Sequence, residues 1–284
     1  NTGSDEAYSI AIQPDGKILA AGDTLSAAGG LDALVVRLSA TGAPDTTFNG
    51  TGSRAIAFPA GISIAVASAR ALARLADGRI VVAALDISNG VAGVVRLNAD
   101  GTLDGSFGGG GPSFLRSGAI GFHIGLALDG AGRAVLAHAE SASPFDNTDF
   151  ALARFRSDGT LDPTFGAGGR LLTDTSPGTG GIWNAVVRQG DGKIVVAGKV
   201  LNSAGEFFAV ARLHAHGAWD ETFGEGGFAI VPGTGAQGYG QAFALALLAD
   251  GRIVAAGALQ TASGVRGAVV RLQRDGALDT SFDT

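Results

Sequence analysis

The sequence predicts an all-β fold: a five-bladed β-propeller with 58–59 residues per blade and one strand missing at its closure. Three observations carry that prediction. The motif Arg-x4-Gly-x2-Asp-x2-Phe recurs five times, Asp-Gly turns sit between short apolar runs, and no helical period longer than a turn stands out. Composition agrees with a turn-rich β protein. The chain has 284 residues, 46% of them hydrophobic, 16% charged and 47 of them Gly, against about 25% charged and about 7% Gly in ordinary domains.

The motif copies are Arg37, Gly42, Asp45, Phe48; Arg96, Gly101, Asp104, Phe107; Arg154, Gly159, Asp162, Phe165; Arg212, Gly217, Asp220, Phe223; and Arg271, Gly276, Asp279, Phe282. Ahead of each copy stands a hairpin signal: Asp15-Gly16, Asp77-Gly78, Asp191-Gly192, Asp250-Gly251, and the deviant Ala131-Gly132. Asp-Gly between apolar runs marks a hairpin, and both central residues are expected at positive φ. Apolar runs flank each turn, a third run leads into the motif, and a fourth follows the glycines after the Phe. Four short strands per repeat describe a propeller blade. Their small, continuous apolar character suits strands buried between neighbours.

The whole chain, 1–284, reads as one domain with repeats at about 1–52, 53–111, 112–169, 170–227 and 228–284. A fourth-type strand is lacking before Asn1 and after Phe282, which leaves 19 strands expected. An unfinished blade exposes an edge that invites strand addition by a partner. The phase of the blades is open at this stage, and the outer-strand position for the gap leaves the chain nearest to self-sufficient.

Within the motif, each Asp is expected to cap the turn that its Phe anchors in the core. The Arg eight residues upstream is expected to reach the same Asp, giving five Arg–Asp pairs. Calcium is the alternative use of these carboxylates, because Asn98, Asp100, Thr102 and Asp104 alternate as ligands do. The other copies put Ser39, Thr41, Arg156, His214, His216 or Gln273 there, so no cofactor or metal is expected.

Twenty Lys and Arg against 26 Asp and Glu give a net charge of −6, which argues against a nucleic-acid partner. The longest uncharged stretch, 226–249, holds Pro232 and six glycines and reads as strand, loop, strand, so no transmembrane segment is expected. Without Cys there is no disulfide or thiol chemistry. The chain also has no Met, even at position 1, which points to removal of its start, as an export signal is removed.

At this point the strings DGKI-V-AG and A-ARL-x-DG-LD-x-FG-GG resemble the bacterial delta-60 repeat, over essentially the whole chain. The resemblance implies an exported or surface-attached protein in the extracellular space, on the cell surface or in the periplasm. It carries over no catalytic residues. Ala131, Thr41 and His216 depart from the pattern.

Function is expected where the repeats disagree, since the shared residues build the scaffold. One aligned position holds Ala7, Ala69, His123, Trp183 and Ala242, and the next holds Tyr8, Arg70, Ile124, Asn184 and Phe243. Tyr8, Arg70, His123, Trp183 and Phe243 are the candidate binding residues, with Trp183 and Tyr8 as stacking platforms for a sugar at one mouth of the channel. His138 replaces a Gly or Ala, and Glu140 follows it, with Asp146, Asp149 and Asp174 as stray acids nearby. His123, His138 and Glu140 are the catalytic candidates. No Gly-x-Ser-x-Gly elbow and no phosphate loop occurs. The leading reading is a non-enzymatic module that binds or scaffolds an extracellular or envelope protein, or a polysaccharide. A polymer-acting hydrolase or lyase with its site at one channel mouth is the alternative.

Overall fold

The computed structural model describes residues 5–25, 30–56, 67–86, 88–116, 119–141, 149–173, 180–202, 204–233 and 239–282. The hairpin turns set its local geometry. Gly16 N–H donates to Gln13 O at 2.9 Å, Gln13 N–H donates to Lys17 O at 2.8 Å, and Gly16 sits at φ +81°. Asp15 is not at positive φ, which corrects the expectation for two left-handed residues: this is a type I turn closed by one left-handed Gly. The Asp side chain instead accepts the N–H two residues on, from Lys17, Arg79, Lys193 and Arg252. Where Ala131 stands, Asp129 takes over and accepts the N–H groups of Ala131 and Arg133 at 3.0 and 2.9 Å.

Nineteen strands follow from these turns among the described residues. The first sheet holds β1 (Glu6–Ile12), β2 (Ile18–Leu25), β3 (Leu31–Leu38) and β4 (Ser53–Ile56). The second holds β5 (Ala67–Arg74), β6 (Ile80–Asp86), β7 (Val91–Leu97) and β8 (Ser113–Arg116). The third holds β9 (Ala119–Leu128), β10 (Ala134–Ser141), β11 (Asp149–Phe155) and β12 (Arg170–Thr173). The fourth holds β13 (Gly180–Arg188), β14 (Ile194–Asn202), β15 (Gly205–Leu213) and β16 (Phe228–Val231). The fifth has three strands, β17 (Gly240–Leu247), β18 (Ile253–Thr261) and β19 (Gly264–Leu272). Each sheet is a meander in chain order. The fourth-type strand closes the sheet before it, so the sheets are offset by one strand from the repeat frame that begins at 53, 112, 170 and 228.

The chain separates into two compact units. The first comprises 1–136, 142–144 and 155–160, and the second comprises 137–141, 145–154 and 161–284. In the first, Leu19, Val35, Phe48, Leu72, Ile80 and Val82 form one buried cluster; in the second, Val195, Phe208, Val210, Phe223, Ile253 and Leu272 form another. Inside each unit the first strands of successive sheets meet. Leu72 N–H on β5 donates to Ser9 Oγ on β1 at 3.1 Å, and Asn184 Nδ2 on β13 donates to Ala242 O on β17 at 2.6 Å. The fourth-type strands lie at the opposite sheet edge, where the fifth sheet has no such strand among the described residues.

The strict motif forms the expected clamp in all five copies. Arg Nε donates to the Asp Oδ2 at 2.7 Å for Arg37–Asp45 and Arg96–Asp104 and at 2.6 Å for Arg212–Asp220 and Arg271–Asp279, and the same atoms form an ion pair at 2.8 Å in Arg154–Asp162. Each guanidinium also covers the ring of its own Phe, 4.6–4.8 Å from Cζ to centroid. A hydroxyl two residues after the Asp completes the set: Thr47, Ser106, Thr164, Thr222 or Ser281 donates to Asp Oδ1 and accepts from the Arg.

Clamps also join one repeat to the next. Arg37, Arg96, Arg154 and Arg212 donate to the carbonyls of Ala99, Ser157, Ala215 and Arg274 in the following motif loop. The N–H groups after the Phe residues, on Asn49, Gly108, Gly166 and Gly224, reach the carbonyls of Asp100, Asp158, His216 and Asp275. This position is left-handed, which Asn49 at φ +52° tolerates better than most residues. Gly101 is obligatory for a different reason: a Cβ there stands 2.8 Å from the Phe48 ring.

Candidate functional site

The unrepeated side chains are aimed by a β-bulge. Pairing between the first and second strands slips between Ala7 and Ser9, Ala69 and Ala71, Trp183 and Ala185, and Ala242 and Ala244. The extra residues are Tyr8, Arg70, Asn184 and Phe243, and a bulge redirects a side chain out of the strand's regular alternation. The partner strand must yield to the bulged backbone. A Cβ on Gly22 or Gly198 would lie 1.8 Å from the carbonyl oxygen of Glu6 or Ile182, and one on Gly257 lies 2.0 Å from that of Gln241. Those glycines are the sequence signal for the bulge.

In the first unit this geometry assembles a polar group. The Arg70 guanidinium stacks on the Tyr8 ring, 3.6 Å from Cζ to centroid. The Tyr8 hydroxyl donates to Glu6 Oε2. Partial burial and that carboxylate push the phenol up to about 12. His123 on β9 has its pKa lowered, first by partial desolvation of its ring and then by the charge of Arg70. Buried Asp23 accepts from Ser68 Oγ at 2.8 Å beside this group. Among the described residues, no carboxylate or carbonyl accepts a hydrogen bond from Arg70, whose Nε is buried. Tyr8 and Arg70 are thus in direct contact, and His123 lies within electrostatic reach of Arg70. Glu6, Asp23 and Ser68, which the sequence reading passed over, complete their surroundings.

The other binding candidates lie in the second unit, in two different settings. Phe243 is 44% exposed on its bulge. Trp183 is 0% exposed and stacks on Phe150 at 4.2 Å, with Phe228 and Trp219 around it. A stacking platform needs an open ring face, so that role is corrected: Trp183 fills the core, one residue before the bulge.

The catalytic candidates His138 and Glu140 do meet. His138 Nε2 stands 3.7 Å from Glu140 Oε2, which Arg170 holds at 2.6 Å. Yet His138 is 2% exposed. Burial, helped by the charge of Arg170, drops its pKa to about 4, so the ring is neutral at pH 7. Asp146 and Asp174 lie outside the described residues, as does the side chain of Asp149. The calcium-like string is engaged locally: Asp100 takes the N–H and hydroxyl of Thr102, and Asp104 faces Arg96 and Arg79. Among the described residues no group of three or more His, Asp or Glu side chains is arranged to hold a metal ion. No helix among them is long and apolar enough to cross a membrane.

Among curated proteins none matches the sequence. Among solved structures, prolyl oligopeptidase B from Galerina marginata is similar at 9% identity and a TM-score of 0.44, over 97% of this chain and 43% of that one. A GH43 β-1,3-galactosidase is similar at 9% identity and 0.43, over 95% and 57%. The β-propeller domain of the trilobed protease from Pyrococcus furiosus, described as having an open velcro topology, is similar at 11% and 0.45, over 98% and 72%. The chain thus spans less than two thirds of the first two proteins. A family model matches at residues 13–48, 75–107, 141–165, 189–223 and 248–282, each stretch ending at or beside the motif Phe. Five sheets, five clamps and five matched stretches covering more than half of the sequence make this chain a member of the β-propeller family described as "Domain of unknown function (DUF5122) beta-propeller".

Proposed function

We propose that this chain is a non-enzymatic binding module of an exported or surface-associated protein. It holds a carboxylate of an extracellular partner, polysaccharide or protein, at Tyr8, Arg70 and His123. One observation carries the reading: Arg70 stands half-buried on the Tyr8 ring with no acceptor among the described residues. A guanidinium presents a planar fork that matches a carboxylate, and partial burial weakens its competition with water. Glu6 and Asp23 next to it disfavour a densely charged polyanion and favour a single, well-placed acid group. The resemblance to delta-60 repeats supports the exported location. The buried, neutral His138 supports a binding role over acid–base chemistry.

Titration with an oligosaccharide carrying a single uronic acid and with a peptide carrying a single glutamate, read by calorimetry, tests the proposal. One of the two is expected to bind wild type, and Arg70→Met is expected to weaken it about tenfold or more, the worth of one charge-assisted hydrogen bond. Neutral oligosaccharide is expected not to bind. Absence of binding by either acidic probe, or equal binding by Arg70→Met, contradicts the reading.

A further inference from the structure

We infer that the acid group held at Arg70 belongs to a sugar acid, a uronic acid whose ring hydroxyls are taken by Glu6 and Asp23. This rests on the role proposed for Arg70, and it selects between the two partner classes, acidic polysaccharide and acidic protein, in favour of the first.

The register of the first sheet puts two carboxylates side by side. Glu6 on β1 is the direct cross-strand partner of Asp23 on β2. Their side chains therefore leave the same face of the sheet, with Cβ atoms about 4.5–5.5 Å apart, and like charges placed so are destabilising. Among the described residues neither carboxylate forms an ion pair, and each has one hydroxyl donor instead. Tyr8 donates to Glu6 Oε2, and Ser68 Oγ donates to Asp23 Oδ2 at 2.8 Å. The second oxygen of each, Glu6 Oε1 and Asp23 Oδ1, takes no hydrogen bond among the described residues. Asp23 is only 3% exposed, and an acceptor so placed is costly without a donor. Contacts link this pair to the guanidinium. Arg70 covers the Tyr8 ring whose hydroxyl reaches Glu6, and Ser68, two residues before Arg70 on β5, reaches Asp23.

A ligand that satisfies this group must accept from a guanidinium and donate to two adjacent carboxylates. The carboxylate of a Glu or Asp side chain in a peptide is attached through methylene groups, which donate nothing. A uronic acid joins its carboxylate to a ring with hydroxyls on neighbouring carbons, and each O–H can donate to a carboxylate oxygen. Such bonds are charge-assisted and short. Hydroxyls also supply donors without adding charge, so the single acid group is all that Arg70 has to balance.

The test is calorimetric titration of the intact chain with three probes: a neutral oligosaccharide ending in one uronic acid, a peptide carrying one glutamate, and cyclohexanecarboxylate, a ring acid with no hydroxyl. The sugar acid is expected to bind wild type at least tenfold more tightly than either of the others. Glu6→Gln then separates the causes, because removing a negative charge acts oppositely on the two kinds of ligand. Sugar-acid binding is expected to weaken about fivefold or more, as a charge-assisted hydrogen bond becomes a neutral one. Cyclohexanecarboxylate, which meets Glu6 only as a like charge, is expected to bind more tightly. Glu6 is exposed, so its replacement leaves the core untouched. Equal affinity of wild type for all three probes overturns the sugar-acid assignment and leaves the anion site standing, as does sugar-acid binding that is unchanged or tighter in Glu6→Gln. Failure of every probe to bind overturns the role of Arg70 itself, and the assignment with it.

Discussion

Replacing Asp220 with Ala removes the acceptor at the centre of the fourth clamp. Asp220 is 0% exposed and takes Arg212 Nε at 2.6 Å, Lys193 Nζ at 2.8 Å, and the Thr222 hydroxyl and N–H at 2.6 and 3.2 Å. Breaking a buried pair by deleting one partner costs about 3–5 kcal/mol, because the other charge is left unpaired. Arg212 is in that position, with 7% of its side chain exposed, whereas Lys193 is 28% exposed and can return to water. The lower end, about 3 kcal/mol, is therefore expected. At about 2 °C per kcal/mol for a chain of this size, the melting temperature falls by about 6 °C. Denaturant unfolding and calorimetry of Asp220→Ala measure this. Adding Arg212→Met is expected to recover part of the loss, since it removes the stranded charge. A single-variant change below about 0.5 kcal/mol refutes the clamp as a source of stability. Strict additivity of the two variants refutes its electrostatic origin.

Three further outcomes follow from the same geometry. Acid should unfold the chain in a window set by the clamps: the carboxylates of Asp45, Asp104, Asp162, Asp220 and Asp279 are all held below their usual range. For Asp45 the Thr47 hydroxyl bond leads; for Asp104, Asp162 and Asp220 burial opposes ionisation but hydrogen bonds from Ser106, Thr164, Lys193 and the arginines outweigh it. A lowered folded-state pKa stabilises above the unfolded value of about 3.9 and is lost as pH falls through the folded one, so stability should hold at pH 5 and drop steeply below pH 4; a decline beginning near pH 6 contradicts it. Gly101→Ala, at φ +85° and against the Phe48 ring, should cost about 2 kcal/mol or more, and clearly more than Gly42→Ala, where the added Cβ meets nothing within 4 Å; equal losses by chemical denaturation sink the repeat-to-repeat packing argument. Phe223→Ala, from a 0% exposed site, should cost about 3–5 kcal/mol, while Phe282→Ala, from a site 41% exposed, should cost about half as much by the same measurement.

The repeated residues were legible because each does a local job within a few positions of itself. An Asp eight residues after an Arg, in five copies, is sufficient to infer a pair, and the fourth-type strands were found where the glycines after the Phe released the chain. The hydroxyl at Thr47, Ser106, Thr164, Thr222 and Ser281 was equally regular, but the Ser/Thr alternation hid it from a search for identical residues. The bulge was harder. Its cause is a carbonyl pressing on Gly22, Gly198 and Gly257, and glycine in a strand has several explanations. Without the bulge, neighbouring positions cannot be sorted into inward and outward, so Trp183 and Tyr8 were given one role and have two. The alanines at 7, 69 and 242 were the clue that Trp183 stands at a confined position. It fits there because Gly181 leaves room for Phe150, whose ring a Cβ would meet at 1.9 Å.

The account's central claim is that repeated residues hold the scaffold and unrepeated ones hold the ligand. A paired comparison of Arg96→Met and Arg70→Met tests it, each variant carried through calorimetric melting and titration with the acidic probe that wild type binds. Arg96 pairs with Asp104 at 2.7 Å, whereas among the described residues Arg70 stacks on the Tyr8 ring and donates to no carboxylate. The account predicts a lowered melting temperature with binding retained below it for Arg96→Met, and an unchanged melting temperature with binding lost for Arg70→Met. The reverse assignment, or loss of both properties in both variants, contradicts it.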